Sequence, residues 1–297
     1  MAEGTLAGTS VRAPSWRAYF ELTKPRVVAL MLFTVAVGML LARPELPPWH
    51  VMLGATLGIA CVAGAAAAVN HLVDRRIDAI MLRTRGRPLP TGAVAAAPAA
   101  AFAAALCLTG VALLLAATNV LCAALSVGAL LGYAVVYSTW LKHATPQNIV
   151  IGGAAGAAPP LLGWVAVTGE VEPGALVLFL IIVLWTPAHF WALAIHRRED
   201  YARAEVPMLP VTHGVPFTSA RILHYSVATA LVSLLPPFIG MSGWLYGVGA
   251  AALGVRLVAV ALRLKHDARL AMPAFRFSIV YLFGLFALLL GDHFLRG

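Results

Sequence analysis

The 297 residues carry 61% hydrophobic and only 11% charged side chains, against about 25% charged in a soluble domain. So little charge argues against a soluble enzyme, a disordered chain or a secreted disulfide scaffold. It leaves a polytopic α-helical membrane protein, in which 21 Lys+Arg against 12 Asp+Glu point to cytoplasmic loops and anionic headgroups rather than to nucleic acid.

The N-terminus is polar up to Arg26 and shows no cleavable signal peptide. Residues 1–21 read as a flexible cytoplasmic lead into a single integral-membrane domain covering 1–297. A transmembrane helix needs about 20 apolar residues. On that measure nine spans follow, at 27–42, 50–70, 97–117, 120–138, 148–167, 175–195, 220–240, 244–262 and 275–291. Very short joints around Asn119 and Ser242-Gly243 predict antiparallel helical hairpins. Cys61, Cys107 and Cys122 lie in apolar stretches without metal-ligand spacing and read as packing residues. Pro159-Pro160, Pro187 and Pro236-Pro237 are expected to kink or break their spans. Gly152 and Gly156 form a G-x-x-x-G pattern, which in a membrane predicts close helix packing.

With the N-terminus cytoplasmic, the inner segments hold 17 of the Lys and Arg residues. The outer ones hold Arg43 and Arg296, and Arg256 and Arg276 fall within spans. That asymmetry predicts N-in and C-out. The two long polar loops, about 71–96 and 196–219, are then both cytoplasmic.

The first loop opens with Asn70-His-Leu-Val-Asp74-Arg-Arg-Ile-Asp78. The i, i+4, i+8 spacing puts Asn70, Asp74 and Asp78 on one helix stripe, about 6 Å of rise apart. Two such carboxylates repel unless a cation lies between or beside them. Mg²⁺ prefers oxygen ligands, commonly one or two carboxylates plus phosphate oxygens. Arg83, Arg85 and Arg87 follow in the same loop and attract anions, so the combination points to a phosphorylated substrate. A solvated helix end with i,i+4 charge compensation is the plain alternative. The second loop carries Glu199-Asp200 after the sixth span. On a helix these neighbours point in different directions, one toward a site and the other toward a cap or partner. An i,i+4 pair with Arg203 is the plain reading of Glu199.

Taken together, these residues resemble the UbiA superfamily of intramembrane prenyltransferases. Five longer runs are similar to its haem-farnesylating branch: Leu22–Arg26, Arg83–Pro90, Thr145–Gly156, Trp185–Trp191 and Asp200–Pro210. The resemblance implies an all-α bundle of nine transmembrane helices around a central cavity, in the inner membrane of a bacterium. It implies transfer of farnesyl from farnesyl diphosphate to a vinyl group of haem B, with addition of water. Haem A synthase or oxidase assembly factors are partners by family only. Asn70, Asp74, Asp78, Glu199 and Asp200 match the catalytic positions, with Mg²⁺ on Asp74, Asp78 and Asp200. Arg83, Arg87, Lys142 and Arg203 are candidates for the diphosphate, and His189 and His71 for haem. Each histidine has a plain alternative as a packing or headgroup-facing residue. Two positions depart from the family pattern: position 199 is usually aspartate, and position 205, here Glu205, is often glycine. A quinone or chlorin acceptor is the nearest alternative function, and a secondary transporter is a more distant one.

Overall fold

The computed structural model describes residues 15–296, and all their regular structure is helical. Arg12 of the charge count and most of the expected lead, residues 1–14, lie outside the described residues. The rest of that lead forms α1 (Trp16–Leu22), opened by the Ser15 hydroxyl accepting from the Ala18 N–H. Then come α2 (Pro25–Leu41), α3 (Trp49–Ile80), α4 (Ala96–Ala117) and α5 (Val120–Leu130), the last running on as a π-helix over Leu131–Leu141. A short α6 (Lys142–Ala144) leads to α7 (Asn148–Thr168) and α8 (Pro173–His196). The second polar loop contains α9 (Arg198–Arg203) and α10 (Leu209–Thr212). The chain closes with α11 (Gly214–Val232), α12 (Leu235–Phe238), α13 (Trp244–His266) and α14 (Ala271–Arg296).

Seven helices are long and apolar enough to cross a membrane. The α1/α2 pair, bent by 53°, brings the number to eight. The remaining long helix, α11, is diluted by Thr218, Ser219, Arg221 and His224 and is not among them. It starts and ends earlier than the expected 220–240. Pro236-Pro237 sits in the separate α12, because a proline pair has no N–H groups to continue the ladder. Pro159-Pro160 and Pro187, by contrast, lie inside continuous α7 and α8. Neighbouring helices pack tightly enough there to hold the helical path.

The joints are capped by side chains. Asn119 accepts from the Cys122 N–H at 2.9 Å and donates to the Val165 carbonyl at 2.8 Å, tying the α4–α5 hairpin to α7. Gly169, with φ of 76°, ends α7 in the left-handed conformation that glycine takes without cost. On α14 the buried carboxylate of Asp292 accepts from the Gly243 and Tyr246 N–H groups and closes the second hairpin.

The G-x-x-x-G packs closely at one of its two glycines: a Cβ on Gly152 would strike the Tyr137 ring, whereas one on Gly156 would meet nothing within 4 Å. Both glycines also line a cavity. Another tight seam is α2 on α7, where a Cβ on Gly38 would strike the Pro160 carbonyl and one on Gly163 the Val35 carbonyl. The main apolar core fills the space between α2, α3, α7, α8, α13 and α14. A second cluster built on Trp191, Tyr201, Met208 and Leu209 anchors the second polar loop on α8 and α11.

Candidate active site

α3 does not stop at the edge of its apolar run. It continues to Ile80, about 15 Å of rise past Asn70 at 1.5 Å per residue. Asn70, Asp74 and Asp78 therefore stay helical and share one face, and all three are buried. Each meets a cation. The Lys24 ammonium, in the turn ahead of α2, donates to Asn70 Oδ1 at 2.5 Å. Lys142 Nζ lies 2.7 Å from Asp74 Oδ2. Arg87 donates to both oxygens of Asp78, at 2.8 and 2.7 Å. Asn70 Nδ2 joins the pattern by donating to Asp74 Oδ2 at 3.0 Å and to Ser138 Oγ at 2.9 Å.

The π-helix explains how Ser138 gets there. Ser138 Oγ donates to the Tyr133 carbonyl five residues back, at 2.9 Å. The wider turn carries Tyr133, Tyr137 and Ser138 on the side facing α3 and α7. π-segments inside α-helices are commonly found at functional sites.

The two acidic loops are joined directly. The Leu82 N–H donates to Asp200 Oδ1 at 3.0 Å. Of the adjacent acids, Asp200 is buried and faces this junction, while Glu199 is exposed. Among the described residues Glu199 has no ion pair with Arg203, which is itself exposed. Arg83 is exposed and lies against Tyr201. Burial pushes the Tyr201 phenol above its ordinary range, and the guanidinium of Arg83 pulls it back.

Several buried polar atoms in this region have no partner: Asp74 Oδ1, Asp200 Oδ2 and both ring nitrogens of His71. An unmet buried acceptor costs about 1–3 kcal/mol, so such a group implies a ligand that meets it. Unmet carboxylate oxygens fit a hard divalent cation. Among the described residues no three His, Cys, Asp or Glu side chains converge on one point to hold an ion by themselves. The reason is visible: Lys142 and Arg87 occupy the lone pairs that a protein-only metal site would use. The donor set suits an ion that arrives with phosphate oxygens as its remaining ligands.

Directly beneath lies a cavity of about 450 Å³. Lys24, Tyr133 and Tyr137 form its polar rim. Its walls are apolar residues of α2, α3, α5, α7 and α8. His189 lines it deeper in, with its ring stacked between Trp185 at 4.2 Å and Phe275 at 4.4 Å. Its Nδ1 lies 2.7 Å from Ser278 Oγ, whose own hydrogen goes to the Phe275 carbonyl at 2.7 Å. Ser278 therefore accepts, Nδ1 carries the proton, and Nε2 keeps a free lone pair. His196 and His213 are exposed. So is Arg256, whose guanidinium stacks 4.8 Å from the Phe277 ring rather than pairing inside the bundle.

The residues that sequence reasoning missed are Lys24, Tyr133, Tyr137 and Ser138. Lys24 sat in a run quoted only for its resemblance. The tyrosines and Ser138 lay in an apolar span whose π-turn no periodicity announces.

Two non-glycine residues take positive φ, Lys24 at 51° and Glu205 at 53°. A left-handed residue other than glycine costs about 1–2 kcal/mol. Glu205, exposed in the second loop, takes a conformation that glycine would adopt freely. Glu205→Gly is expected to raise stability by about 1 kcal/mol, read as a higher unfolding temperature in detergent. An unchanged or lower midpoint would contradict the strain assigned to this position.

Residues 31–289 match the UbiA prenyltransferase family. The chain belongs to that family. Among UbiA relatives, the chain is 58% identical to a protoheme IX farnesyltransferase of Marinobacter nauticus, over 94% of this chain and 93% of that one. It is 56% identical to the protoheme IX farnesyltransferase of Thioalkalivibrio sulfidiphilus, over 100% and 99%. The UbiA fold recurs in a digeranylgeranylglyceryl phosphate synthase, at a TM-score of 0.80 and 20% identity, covering 94% of this chain and 98% of that one. It recurs again in a UbiA homolog from Archaeoglobus fulgidus bound to DMAPP and Mg²⁺, at a TM-score of 0.61 and 17% identity, covering 91% and 98%.

Proposed function

We propose that this chain transfers a farnesyl group from farnesyl diphosphate to a vinyl group of haem B, with addition of water, giving haem O for terminal oxidases. The observation that carries this reading is the junction of two environments. The partly unsatisfied carboxylates are tied through Asn70 to Lys24, and Lys24 lines an apolar cavity that His189 also lines, with a free Nε2. The names of the relatives at 56–58% identity supply the acceptor, and the Archaeoglobus homolog holds ligands of the class proposed for the rim.

In the rim, Asp74 and Asp200 would hold Mg²⁺ through their unmet oxygens, while Asp78 holds Arg87 beside them with both of its own. When bound, the ion neutralises charge growing on the departing diphosphate. Lys142 and Arg87 are already fixed there and supply preorganised positive charge; Arg83 and Arg203, at the loop surface, meet the outer phosphate. Asn70 holds Asp74 in place. The prenyl C1–O bond breaks, and its electron pair leaves on oxygen. The apolar walls keep water from the allylic cation until the haem vinyl group attacks it. Water then adds to the cation left beside the porphyrin and loses a proton to solvent, leaving a hydroxyl.

The chain's nine long helices are read as nine spans, with the N-terminus and both acidic loops in the cytoplasm of a bacterial inner membrane. The lopsided distribution of Lys and Arg supports this topology. Haem A synthase or oxidase assembly factors are the partners such a product implies.

The direct test is a membrane assay with haem B, farnesyl diphosphate and Mg²⁺, read by mass spectrometry. A haem adduct heavier by a farnesyl group plus a hydroxyl supports the proposal. Prenylation of an added quinone precursor and not of haem would overturn the acceptor. For haem placement, His189→Ala is expected to weaken haem affinity about tenfold or more, a loss of about 1.4 kcal/mol, and to change the haem absorption spectrum. An unchanged spectrum and affinity would remove His189 as a ligand and leave it as packing between Trp185 and Phe275.

A further inference from the structure

We propose that Lys24 is a catalytic residue whose ammonium hydrogen-bonds the phosphate oxygen bonded to the prenyl C1. This rests on the reading of the rim as a prenyl-diphosphate site.

Three observations lead there. The first is backbone strain. Lys24 holds a left-handed φ of 51° between α1 and α2, a conformation that glycine would take freely. Strained non-glycine residues cluster at functional sites. At Glu205 the side chain is exposed and makes no ion pair among the described residues, so glycine would serve equally well there. At Lys24 the side chain turns inward.

The second is charge without a counter-ion. Lys142 and Arg87 each sit on a carboxylate. The half-buried Lys24 ammonium has only neutral partners, Asn70 Oδ1 at 2.5 Å and the Tyr133 hydroxyl at 3.3 Å. No carboxylate lies within ion-pair distance of it among the described residues. Three N–H donors on an ammonium facing two neutral oxygens leave room for an anion.

The third is position. Lys24 and Arg26 line the cavity, whereas Lys142 and Arg87 do not; of the two, Arg26 is exposed, and Lys24 alone is hydrogen-bonded to the acidic stripe, through Asn70. A prenyl chain lying in the apolar cavity, with its diphosphate between Asp74 and Asp200, passes the rim at its C1–O bond. Lys24 stands at that crossing. Arg87 and Lys142 lie beyond it and are matched to the outer oxygens. When the bond breaks, both electrons stay on the oxygen. The ammonium stabilises them by a charge-assisted hydrogen bond that requires no proton transfer.

Lys24→Gly, Lys24→Met and Lys24→Arg separate side chain from backbone. The readouts are unfolding temperature, affinity for Mg²⁺ with inorganic pyrophosphate, affinity for haem, and turnover. Lys24→Gly is expected to keep or raise the unfolding temperature while weakening pyrophosphate binding tenfold or more. Lys24→Met should weaken it similarly, and Lys24→Arg should restore a measurable part. Haem affinity should stay unchanged in all three, and kcat should fall more steeply than KM rises.

Wild-type pyrophosphate affinity in folded Lys24→Met and Lys24→Gly overturns the assignment. Lost haem affinity with intact pyrophosphate binding also overturns it, because it makes Lys24 a partner of the acceptor. Asp74→Ala, measured alongside, distinguishes the two failures. If it too leaves pyrophosphate binding intact, the rim is not the diphosphate site. If it abolishes binding while the Lys24 variants do not, only the role of Lys24 falls.

Discussion

Replacing Asp74 by alanine is expected to lower prenyl transfer by about two to three orders of magnitude, the loss seen when a preorganised transition-state charge is removed. Asp74 is the hub of the rim. Its Oδ2 takes the Lys142 ammonium at 2.7 Å and the Asn70 amide at 3.0 Å, and its Oδ1 is buried and free. Alanine removes the free oxygen assigned to the metal. It also strands Lys142, whose side chain is only 12% exposed. Breaking a largely buried pair by deleting one partner costs about 3 kcal/mol, so part of any loss could reflect folding. Asp74→Asn separates the two effects. It keeps a carbonyl oxygen for Lys142 and for the Asn70 bond, so its unfolding temperature should lie close to wild type while turnover stays lost. Turnover near wild type in a folded Asp74→Asn protein would remove Asp74 from the metal site. Asp78→Ala should also fail, for a different reason: both its oxygens are held by one arginine, and its loss frees Arg87 from the rim.

Gly38→Ala is expected to be the most damaging small substitution in the membrane core. A single added methyl would meet the Pro160 backbone carbonyl, and Gly163 faces the Val35 carbonyl in the same seam. Overpacking costs about 1–3 kcal/mol where side chains can yield. Here the obstacle is backbone on a rigid helix, so the loss should reach the top of that range. Separating α2 from α7 would also displace cavity walls contributed by both helices. Gly128→Ala is the matched control, since a Cβ there meets nothing within 4 Å. Relief of the helix-interior glycine penalty, about 1 kcal/mol, should make it neutral to stabilising. Thermal unfolding in detergent decides between them. Equal midpoints for the two variants would show that the seam tolerates a Cβ and that α2 and α7 are not locked together.

Much of the site was legible because helical spacing carries its own geometry. Asn70, Asp74 and Asp78 had to share a face once the segment was helical, and they do. The pair Glu199-Asp200 had to diverge, and Asp200 is the one turned inward. The hairpin at Asn119 followed from the shortness of the joint, and its side chain makes the caps. Glu205 was expected to stand where glycine is common, and it does take the positive φ that glycine adopts freely. The weaker inferences were those that treated a local pattern as a statement about partners. Gly152 and Gly156 have the spacing of a packing seam, yet only Gly152 packs closely, on Tyr137, and both border a cavity. Gly38 and Gly163, with no motif between them, make a backbone-to-backbone contact. Pro159-Pro160 and Pro187 read as breaks and are absorbed in continuous helices.

Composition and span length were enough to give an all-helical membrane protein with two acidic clusters, at Asp74 and Asp78 and at Glu199 and Asp200. These properties are local: hydropathy acts residue by residue, and a helix fixes the direction of each side chain from its own period. Which cation meets which carboxylate was decided only by the fold. Lys24, Asn70, Ser138 and Lys142 are distant in sequence, and they meet because α2, α3 and the π-turn of α5 converge on one point. The same holds for His189, whose tautomer depends on Ser278 of another helix and on where that hydroxyl sends its hydrogen. Hydrogen bonds and ion pairs act over about 3 Å between side chains, so the chemistry of this site exists only after the helices have packed.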